Sequence, residues 1–263
     1  MPSKEVLIMQ GYNERAVDYK KLHGVKEYDM QALIDGLELR NGETFADLMG
    51  GHGDVTISAI NDCNEKGIHI KPLIIDKYPK QFPIEAPCTT IMSDVRKLPI
   101  GNECIDKAAI KLGLHEMKNK DKIKTLKEAH RILKKGGKIG LWEIGPKSEK
   151  EQKLFSKLMK KKDQLAGFID MARNRRFASE NELVGFLNQA GFTQITNKHT
   201  PIFEMNTKNW LEKDFQNDST KLQEWNEYVR KQVPEKLKEK VSYKDEGETI
   251  KMKFNWPIIV ATK

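Results

Sequence analysis

Between residues 44 and 144 the sequence alternates short apolar runs with longer amphipathic segments, and this alternation constrains the fold more than any other feature. Apolar runs of about four to eight residues are typical of strands buried on both faces of a parallel sheet. The candidate strands span residues 44–49, 69–76, 89–92, 107–112 and 138–144. Because helical segments separate them, the pattern predicts a doubly wound α/β fold.

The amphipathic segments predict helices. In the clearest of them, residues 121–133, apolar residues recur at helical spacing, and Gly136 and Gly137 then supply a stop. Further helices are expected at residues 28–39, 147–173 and 179–189, and two further strands at 192–199 and 251–261.

Residues 203–250 lie between the last two predicted strands and are too many for a structureless loop in a compact domain. Their apolar residues recur at nearly helical spacing: Leu211, Phe215, Leu222, Trp225, Val229 and Val233. We therefore expect an inserted helical hairpin whose apolar stripe is buried. The stripe could pack on its own domain, form a dimer surface or shape a substrate pocket. We predict the last, because this connection emerges at the sheet edge where ligands bind.

The composition is that of a folded protein from a reducing environment. Hydrophobic residues make up 38% of the 263 residues and charged residues 32%, which argues against disorder over most of the length. Three cysteines without a CxxC pair support neither a disulfide framework nor a zinc site. No apolar run is long enough for a signal peptide or a membrane span. We expect a cytoplasmic protein without a metal site.

The net charge is +8, and only eight of the 46 basic residues are arginine. A surface built to bind phosphates would be expected to use more arginine. The lysine excess, which is larger after residue 146, therefore leaves two interpretations open. It is either a solvated lysine-rich surface or a surface that steers an anionic partner.

A glycine-rich segment, DLMGGHGDVT at residues 47–56, follows the first predicted strand and opens a helix. Its glycines let a ligand approach the backbone, and the helix N-terminus favours a negatively charged group. A dinucleotide site would have a third glycine at Thr56, and no Gly-Lys-Ser/Thr follows as in a Walker loop. Asp47, just before the glycines, would repel a pyrophosphate but would suit an ammonium group, such as that of S-adenosylmethionine.

Two more acidic residues follow predicted strands. Asp76 ends the second strand, where a carboxylate can accept hydrogen bonds from both hydroxyls of a ribose. Asp94 follows the third strand, where it could accept from the amino group of an adenine. The carboxyl ends of parallel strands meet at one edge of the sheet, where open α/β folds bind their ligands. Together with Asp47 they predict a site for an adenosine-containing ligand.

These residues resemble a class I S-adenosylmethionine-dependent methyltransferase, and more closely the ubiquinone/menaquinone-biosynthesis C-methyltransferase family. The resemblance rests on residues 47–56, Asp76, residues 93–117 and residues 120–146. Weaker matches are residues 177–192 and the aromatic pair Tyr12 and Tyr19. The resemblance implies a Rossmann-like fold with a mostly parallel seven-stranded sheet, an antiparallel last strand and helices on both faces. It also implies an N-terminal helical cover over residues 1–43 and a core formed by residues 44–202 and 251–263. The inserted residues 203–250 have no counterpart in the family.

The resemblance also implies the site residues. Those expected to bind S-adenosylmethionine are Asp47, Leu48, Met49, Gly50, Gly51, His52, Gly53, Asp76, Lys77, Asp94, Val95, Lys111, Leu112, Tyr12 and Tyr19. Those expected to act in catalysis are His115, Glu116 and Tyr19. His115 is the best candidate for a general base, because a histidine of ordinary pKa is mainly neutral at pH 7. Glu143, in the fifth strand, either points into the pocket or forms a buried salt bridge.

Several residues depart from the family pattern. His52 replaces the usual threonine of the glycine loop, Met49 takes a glycine-or-alanine position, and Lys111 stands where a small polar residue contacts the cofactor. His115 and Glu116 replace an Arg-Asn pair that faces the substrate. The prediction of the cofactor rests on backbone and carboxylate contacts, so these changes do not affect it. Specificity for a quinone ring is not predicted, because the pair that faces the substrate has changed.

The expected function is transfer of a methyl group to carbon, oxygen or nitrogen of a small-molecule acceptor. A nucleic-acid methyltransferase is one alternative, although the sequence has no amino-methylation motif after the fourth strand and no RNA-binding module. The other alternative is a protein of this fold that binds the cofactor without transferring methyl. The sequence does not indicate an oligomeric state.

Overall fold

A computed structural model of the chain describes residues 27–212 and 214–263. These residues form two compact units. The larger unit comprises residues 27–143, 182–201 and 257–263, and the smaller comprises residues 144–181 and 202–256. Tyr12 and Tyr19, predicted to cover the cofactor, lie outside the described residues.

The strands are β1 (Thr44–Leu48), β2 (Lys71–Asp76), β3 (Thr89–Met92), β4 (Ile105–Lys111), β5 (Leu133–Trp142), β6 (Thr193–His199), β7 (Ile202–Asn206), β8 (Lys244–Asp245), β9 (Ile250–Asn255) and β10 (Ile258–Thr262). The α-helices are α1 (Glu27–Leu37), α2 (Asp54–Glu65), α3 (Asn119–Ile132), α4 (Glu149–Leu165), α5 (Ile169–Asn174), α6 (Glu180–Gln189), α7 (Ser219–Gln232) and α8 (Glu235–Lys238). Short 3₁₀ helices span Pro79–Gln81, Leu114–Glu116 and Thr207–Trp210.

The larger unit is built on a seven-stranded sheet with the order β3-β2-β1-β4-β5-β10-β6. The first five of these strands are parallel, and β10 runs antiparallel to both β5 and β6. The central strands are apolar because the sheet interior is closed to water: Phe45, Ile74 and Ala108 are fully buried. The predicted α/β fold with a mostly parallel sheet and an antiparallel last strand is confirmed.

The smaller unit holds a second sheet, with the order β7-β9-β8 and antiparallel pairing throughout. Helix α4 packs against α5 and α7. The buried residues of the strands alternate with exposed ones, so that Phe203 and Met205 face the interior while Glu204 faces water. That period of two marks strands rather than helices.

Residues 203–250 therefore do not form the predicted helical hairpin. They hold one long helix, α7, the four-residue helix α8 and the 3₁₀ helix Thr207–Trp210, together with short strands and turns. The predicted apolar stripe is buried as expected at Phe215, Trp225 and Val229, each of which is fully buried. Its role in shaping an acceptor pocket stays a prediction.

Two other predicted elements are each divided in two. The strand expected over 251–261 is broken at Trp256 and Pro257, so that β9 joins the small sheet and β10 joins the large one. Proline has no N–H for a sheet ladder, which makes it a natural break. The helix expected over 147–173 ends at Leu165, and Gly167, with φ of 81°, provides the turn into α5.

Buried charges in the smaller unit are paired with one another. Lys162 is 1% exposed, and its ammonium group binds Asp214 and lies 2.7 Å from a carboxylate oxygen of Asp163. The same nitrogen lies 4.6 Å from the centre of the Trp210 ring. Arg175 donates to Asp163 at 3.1 Å. This network accounts for charges that would otherwise be costly to bury.

Within the described ranges no helix is both long and apolar enough to cross a membrane.

Candidate functional site

The predicted site residues lie where β1, β2 and β4 end. These strands are neighbours in the sheet and run parallel, with Leu48 paired to Ile75 and Asp47 paired to Ala109. Their carboxyl ends therefore reach the same edge of the sheet. The glycine loop follows β1 there, and the chain then enters α2.

The glycine loop is held in an unusual backbone conformation. Gly51 and Gly53 have positive φ angles, of 50° and 76°, which glycine adopts at little cost. Met49 also has a positive φ, of 61°, in the position where the family pattern has a small residue. A non-glycine residue in this region stores strain of about 1–3 kcal/mol, and such strain concentrates at binding and catalytic sites. Gly50 is required for space, since a Cβ there would lie 2.8 Å from Asp47 Cγ.

Asp47 binds the first turn of α2. It is 1% exposed, and its carboxylate accepts hydrogen bonds from the backbone N–H of Thr56 at 3.2 Å and from the Thr56 hydroxyl at 3.0 Å. Burial raises the pKa of Asp47 to about 7, although the hydrogen bonds from Thr56 oppose that rise. Both hydrogen bonds end on Oδ2, through which the carboxylate caps the helix. The binding of an ammonium group by Asp47 stays a prediction.

Asp76 links β2 to the glycine loop. One carboxylate oxygen accepts from the Gly51 N–H at 3.1 Å and the other from the Tyr78 N–H at 2.9 Å. Burial raises the pKa of Asp76 above its usual value, and these backbone hydrogen bonds oppose the rise. The carboxylate is thus fixed beside the loop, in the position predicted for a ribose-binding residue.

Asp94 follows β3 and is held by Arg96. Its two oxygens accept from Arg96 Nε at 2.9 Å and from a terminal Arg96 nitrogen at 2.6 Å, a bidentate arrangement. The hydrogen bond from Arg96 is the main reason that the pKa of Asp94 falls to about 2. The Lys77 ammonium lies 3.9 Å away, and Val95 is buried. A ligand that binds Asp94 must share this carboxylate with Arg96.

Lys111 is the last residue of β4 and has a largely buried side chain, 9% exposed. Its ammonium lies 3.2 Å from a carboxylate oxygen of Asp54, the first residue of α2. The next residue, Leu112, has a positive φ of 53°. Both β1 and β4 are therefore followed by a non-glycine residue with a positive φ, Met49 and Leu112 respectively.

His115 lies between two carboxylates just beyond β4. Its Nδ1 is 2.6 Å from Glu143 and its Nε2 is 3.2 Å from Glu116. The backbone N–H of His115 also donates to Glu143 at 3.1 Å. Burial alone would lower the pKa of His115, but the charges of Glu143 and Glu116 outweigh it and raise the pKa to about 9. The expectation of a mainly neutral imidazole at pH 7 is therefore corrected: the ring is an imidazolium at neutral pH.

The structure adds three residues that were not among the predicted site residues. Glu143 is 1% exposed and follows β5, beside His115. Tyr78 follows β2, and burial and the charges of Asp76 and Glu116 raise the pKa of its hydroxyl. Asp54 pairs with Lys111. An acidic residue after an apolar strand was the sequence signal for Glu143. Asp54 carries no comparable signal, because its partner Lys111 is 57 residues away in the chain. Tyr78 depends on Asp76 close by and on Glu116 from a distant part of the chain.

Solved structures define the class of fold. The YcgJ protein from Bacillus subtilis matches with a TM-score of 0.71 and 11% identity, covering 90% of this chain and 99% of that one. The cyclopropane synthase MmaA2 from Mycobacterium tuberculosis matches with a TM-score of 0.57 and 12% identity, covering 95% and 97%. The larger unit accordingly shares the Rossmann-like α/β fold of these structures.

The sequence identifies the family within that class. Residues 22–201 match the ubiE/COQ5 methyltransferase family. The chain belongs to this family, as its strand-end motifs predicted.

Curated relatives share part of the sequence. A demethylmenaquinone methyltransferase from Chlamydia caviae is 28% identical over 152 residues, which are 54% of this chain and 63% of the relative. The ubiquinone/menaquinone biosynthesis C-methyltransferase UbiE of Acidiphilium cryptum is 24% identical over 193 residues, 66% of this chain and 75% of the relative. The chain thus spans less than two thirds of the length of the Chlamydia caviae protein.

Proposed function

We propose that the chain is an S-adenosylmethionine-dependent methyltransferase that acts on a small-molecule acceptor. The observation that supports this proposal most directly is the hydrogen bond from the Gly51 N–H, in the glycine loop after β1, to the Asp76 carboxylate at the end of β2. It puts a fixed carboxylate beside glycine backbone that a ligand can approach closely. Family membership and the named relatives support the same activity.

The residues present suit each part of this cofactor. Asp76 has the acceptor atoms that ribose hydroxyls need, and its side chain is largely buried, with 9% exposed. We assign the adenine amino group to Asp94, whose carboxylate is held by Arg96. Asp47 holds the first turn of α2 through Oδ2. Bound S-adenosylmethionine supplies an electrophilic methyl group on a positively charged sulfur.

We place the acceptor subsite at His115, Glu116 and Glu143, beyond the ends of β4 and β5. The His115 ring lies between the carboxyl groups of Glu143 and Glu116, and its pKa of about 9 keeps it mainly protonated at pH 7. An acceptor that must lose a proton would therefore pass it to Glu116 rather than to His115.

The cofactor assignment is tested by calorimetry. The wild-type chain should bind S-adenosylmethionine, and Asp76→Ala should weaken that binding by about 1.5–3 kcal/mol, the usual loss for a charged hydrogen-bonding partner. Asp35→Ala, which removes an exposed carboxylate paired with Lys66, serves as the control and should bind normally. Unchanged affinity in Asp76→Ala would refute the ribose assignment, and tight binding of NADH by the wild type would refute the cofactor.

The acceptor class is tested by incubating the protein with a cell extract and cofactor labelled on the methyl group. Label should appear in the small-molecule fraction. Label confined to RNA or protein would contradict the proposed acceptor class, and no labelled product in matched extracts would favour a protein that binds the cofactor without transferring methyl.

A further inference from the structure

His199 and Asp29 are hydrogen-bonded to each other at the carboxyl edge of the seven-stranded sheet. Strands β5 and β6 both run antiparallel to β10, so they run in the same direction as each other. Trp142 is the last residue of β5 and His199 the last residue of β6, and both are paired with Ile258. His199 therefore lies at the same edge of the sheet as the proposed acceptor subsite.

The strand register also sets how far His199 is from that subsite. Only β10 separates β5 from β6, and neighbouring strands lie about 4.8 Å apart, so the Cα atoms of His199 and Trp142 are about 10 Å apart. Glu143, which belongs to the proposed subsite, directly follows Trp142. A small molecule with polar groups at both ends can span a distance of this order.

Asp29, in the first turn of α1, fixes one side of the His199 ring. Its side chain is 6% exposed, and a carboxylate oxygen lies 3.0 Å from His199 Nε2. Because a carboxylate accepts hydrogen bonds, this contact places the ring proton on Nε2. The Tyr28 ring packs edge-to-face against the imidazole, with the two ring centres 5.6 Å apart. Two residues of α1 thus hold the imidazole in one orientation.

The other side of the His199 ring is accessible. The side chain is 37% exposed, and no group within residues 27–212 and 214–263 hydrogen-bonds Nδ1. With the proton on Nε2, the Nδ1 of a neutral ring can accept a hydrogen bond from an O–H or N–H group. His115 differs, because its two ring nitrogens face Glu143 and Glu116.

We propose that His199 binds the methyl acceptor through Nδ1, at the end of the acceptor that lies away from Glu116. The acceptor then carries, besides the group that is methylated, a second O–H or N–H group that donates to this nitrogen. Asp29 is a positioning residue, since it acts by holding the ring and its tautomer. This inference rests on the proposed function, because the molecule bound is the acceptor of the methyl group.

Two amide substitutions at position 199 separate binding from packing. The longer amide of His199→Gln can keep the contact with Asp29, whereas the shorter amide of His199→Asn lies nearer the position of Nδ1. The probe is the small-molecule fraction of a cell extract, assayed over a dilution series with cofactor labelled on the methyl group. His199→Gln should raise the apparent KM about fivefold or more and leave the maximal rate within about twofold of wild type. His199→Asn should recover part of the loss.

Asp29→Asn tests the positioning role. An amide can donate as well as accept, so it no longer selects one tautomer of His199, and the apparent KM should rise by less than in His199→Gln. His69→Gln is the matched control, because His69 is an exposed histidine that precedes β2, at the opposite edge of the same sheet. This control should behave as the wild type does. All four variants should bind S-adenosylhomocysteine with wild-type affinity in calorimetry.

A wild-type apparent KM in His199→Gln would overturn the proposal, as would a lower maximal rate at unchanged KM or a matching loss of affinity for S-adenosylhomocysteine. In each of these cases the wild type still transfers methyl, so the proposed function stands. If thermal unfolding shows that His199→Gln is not folded, Asp29→Asn decides by the same measurements. If the wild type transfers no label to this fraction, the proposed function fails and the role of His199 fails with it.

Discussion

Glu143→Gln should lower the pKa of His115 and change how the ring is held. The substitution keeps the size of the side chain and an oxygen that can accept from the His115 backbone N–H, but it removes the negative charge 2.6 Å from Nδ1. The pKa of His115 is about 9, against an ordinary value of 6.5. An opposite charge at this range typically moves a pKa by about 1–3 units, so we expect about 7 in the variant.

The same pKa has a consequence for stability. Each pKa unit corresponds to about 1.4 kcal/mol, so the folded protein favours the imidazolium by about 3 kcal/mol relative to the unfolded chain. Because the folded-state pKa is the higher one, this stabilisation is fully present below pH 6.5 and is lost as the pH rises through 9. In Glu143→Gln the loss of stability with rising pH should be smaller and should be complete at a lower pH.

Two measurements test this reasoning. Imidazole ¹⁵N resonances followed against pH report the pKa of His115 and which nitrogen carries the proton, and urea unfolding at pH 6 and pH 9.5 reports the stability difference. Glu116→Gln is the control, since it also removes a carboxylate but leaves Nδ1 beside Glu143. It should lower the pKa without changing the proton on Nδ1. An unchanged pKa in Glu143→Gln would refute the assigned electrostatic role of Glu143.

Three further predictions follow from other parts of the structure. Asp47 has a folded-state pKa of about 7, raised by burial from 3.8, so its contribution to stability falls as the pH rises from about 4 to 7. Asp47→Asn should therefore flatten that dependence and raise the free energy of unfolding at pH 8; urea unfolding with the same pH dependence as the wild type would contradict this. Gly50→Ala should lower both the free energy of unfolding and the affinity for the cofactor, because the alanine Cβ would lie 3.0 Å from the Asp47 carbonyl oxygen. Wild-type affinity of this variant in calorimetry would contradict this. Trp225→Ala should cost about 3–5 kcal/mol in urea unfolding, since the ring is fully buried; a loss below about 1 kcal/mol would show that the site repacks.

The sequence predicted the larger unit well because its signals are local. The apolar runs that became β1 to β5 report burial on both faces, and chain direction alone brings the ends of parallel strands to one edge. For that reason the sequence predicts Asp47 and Asp76 at one edge of the sheet, and the parallel pairing of β1 and β2 brings them to the same edge. The glycine loop was recognisable for a similar reason, since positive φ angles at Gly51 and Gly53 demand a residue type that is visible in the sequence.

The partners of each residue were decided only by the tertiary structure. The alternation in residues 251–261 indicates a strand, but it does not show that Pro257 divides the strand between two sheets. The strand end predicts that Asp47 belongs to the site, but only the fold shows that Thr56 donates to its carboxylate. The pKa of His115 likewise depends on Glu143, which is 28 residues away in the chain. Periodicity records whether a side chain is buried, whereas hydrogen bonding and charge depend on what it is buried against.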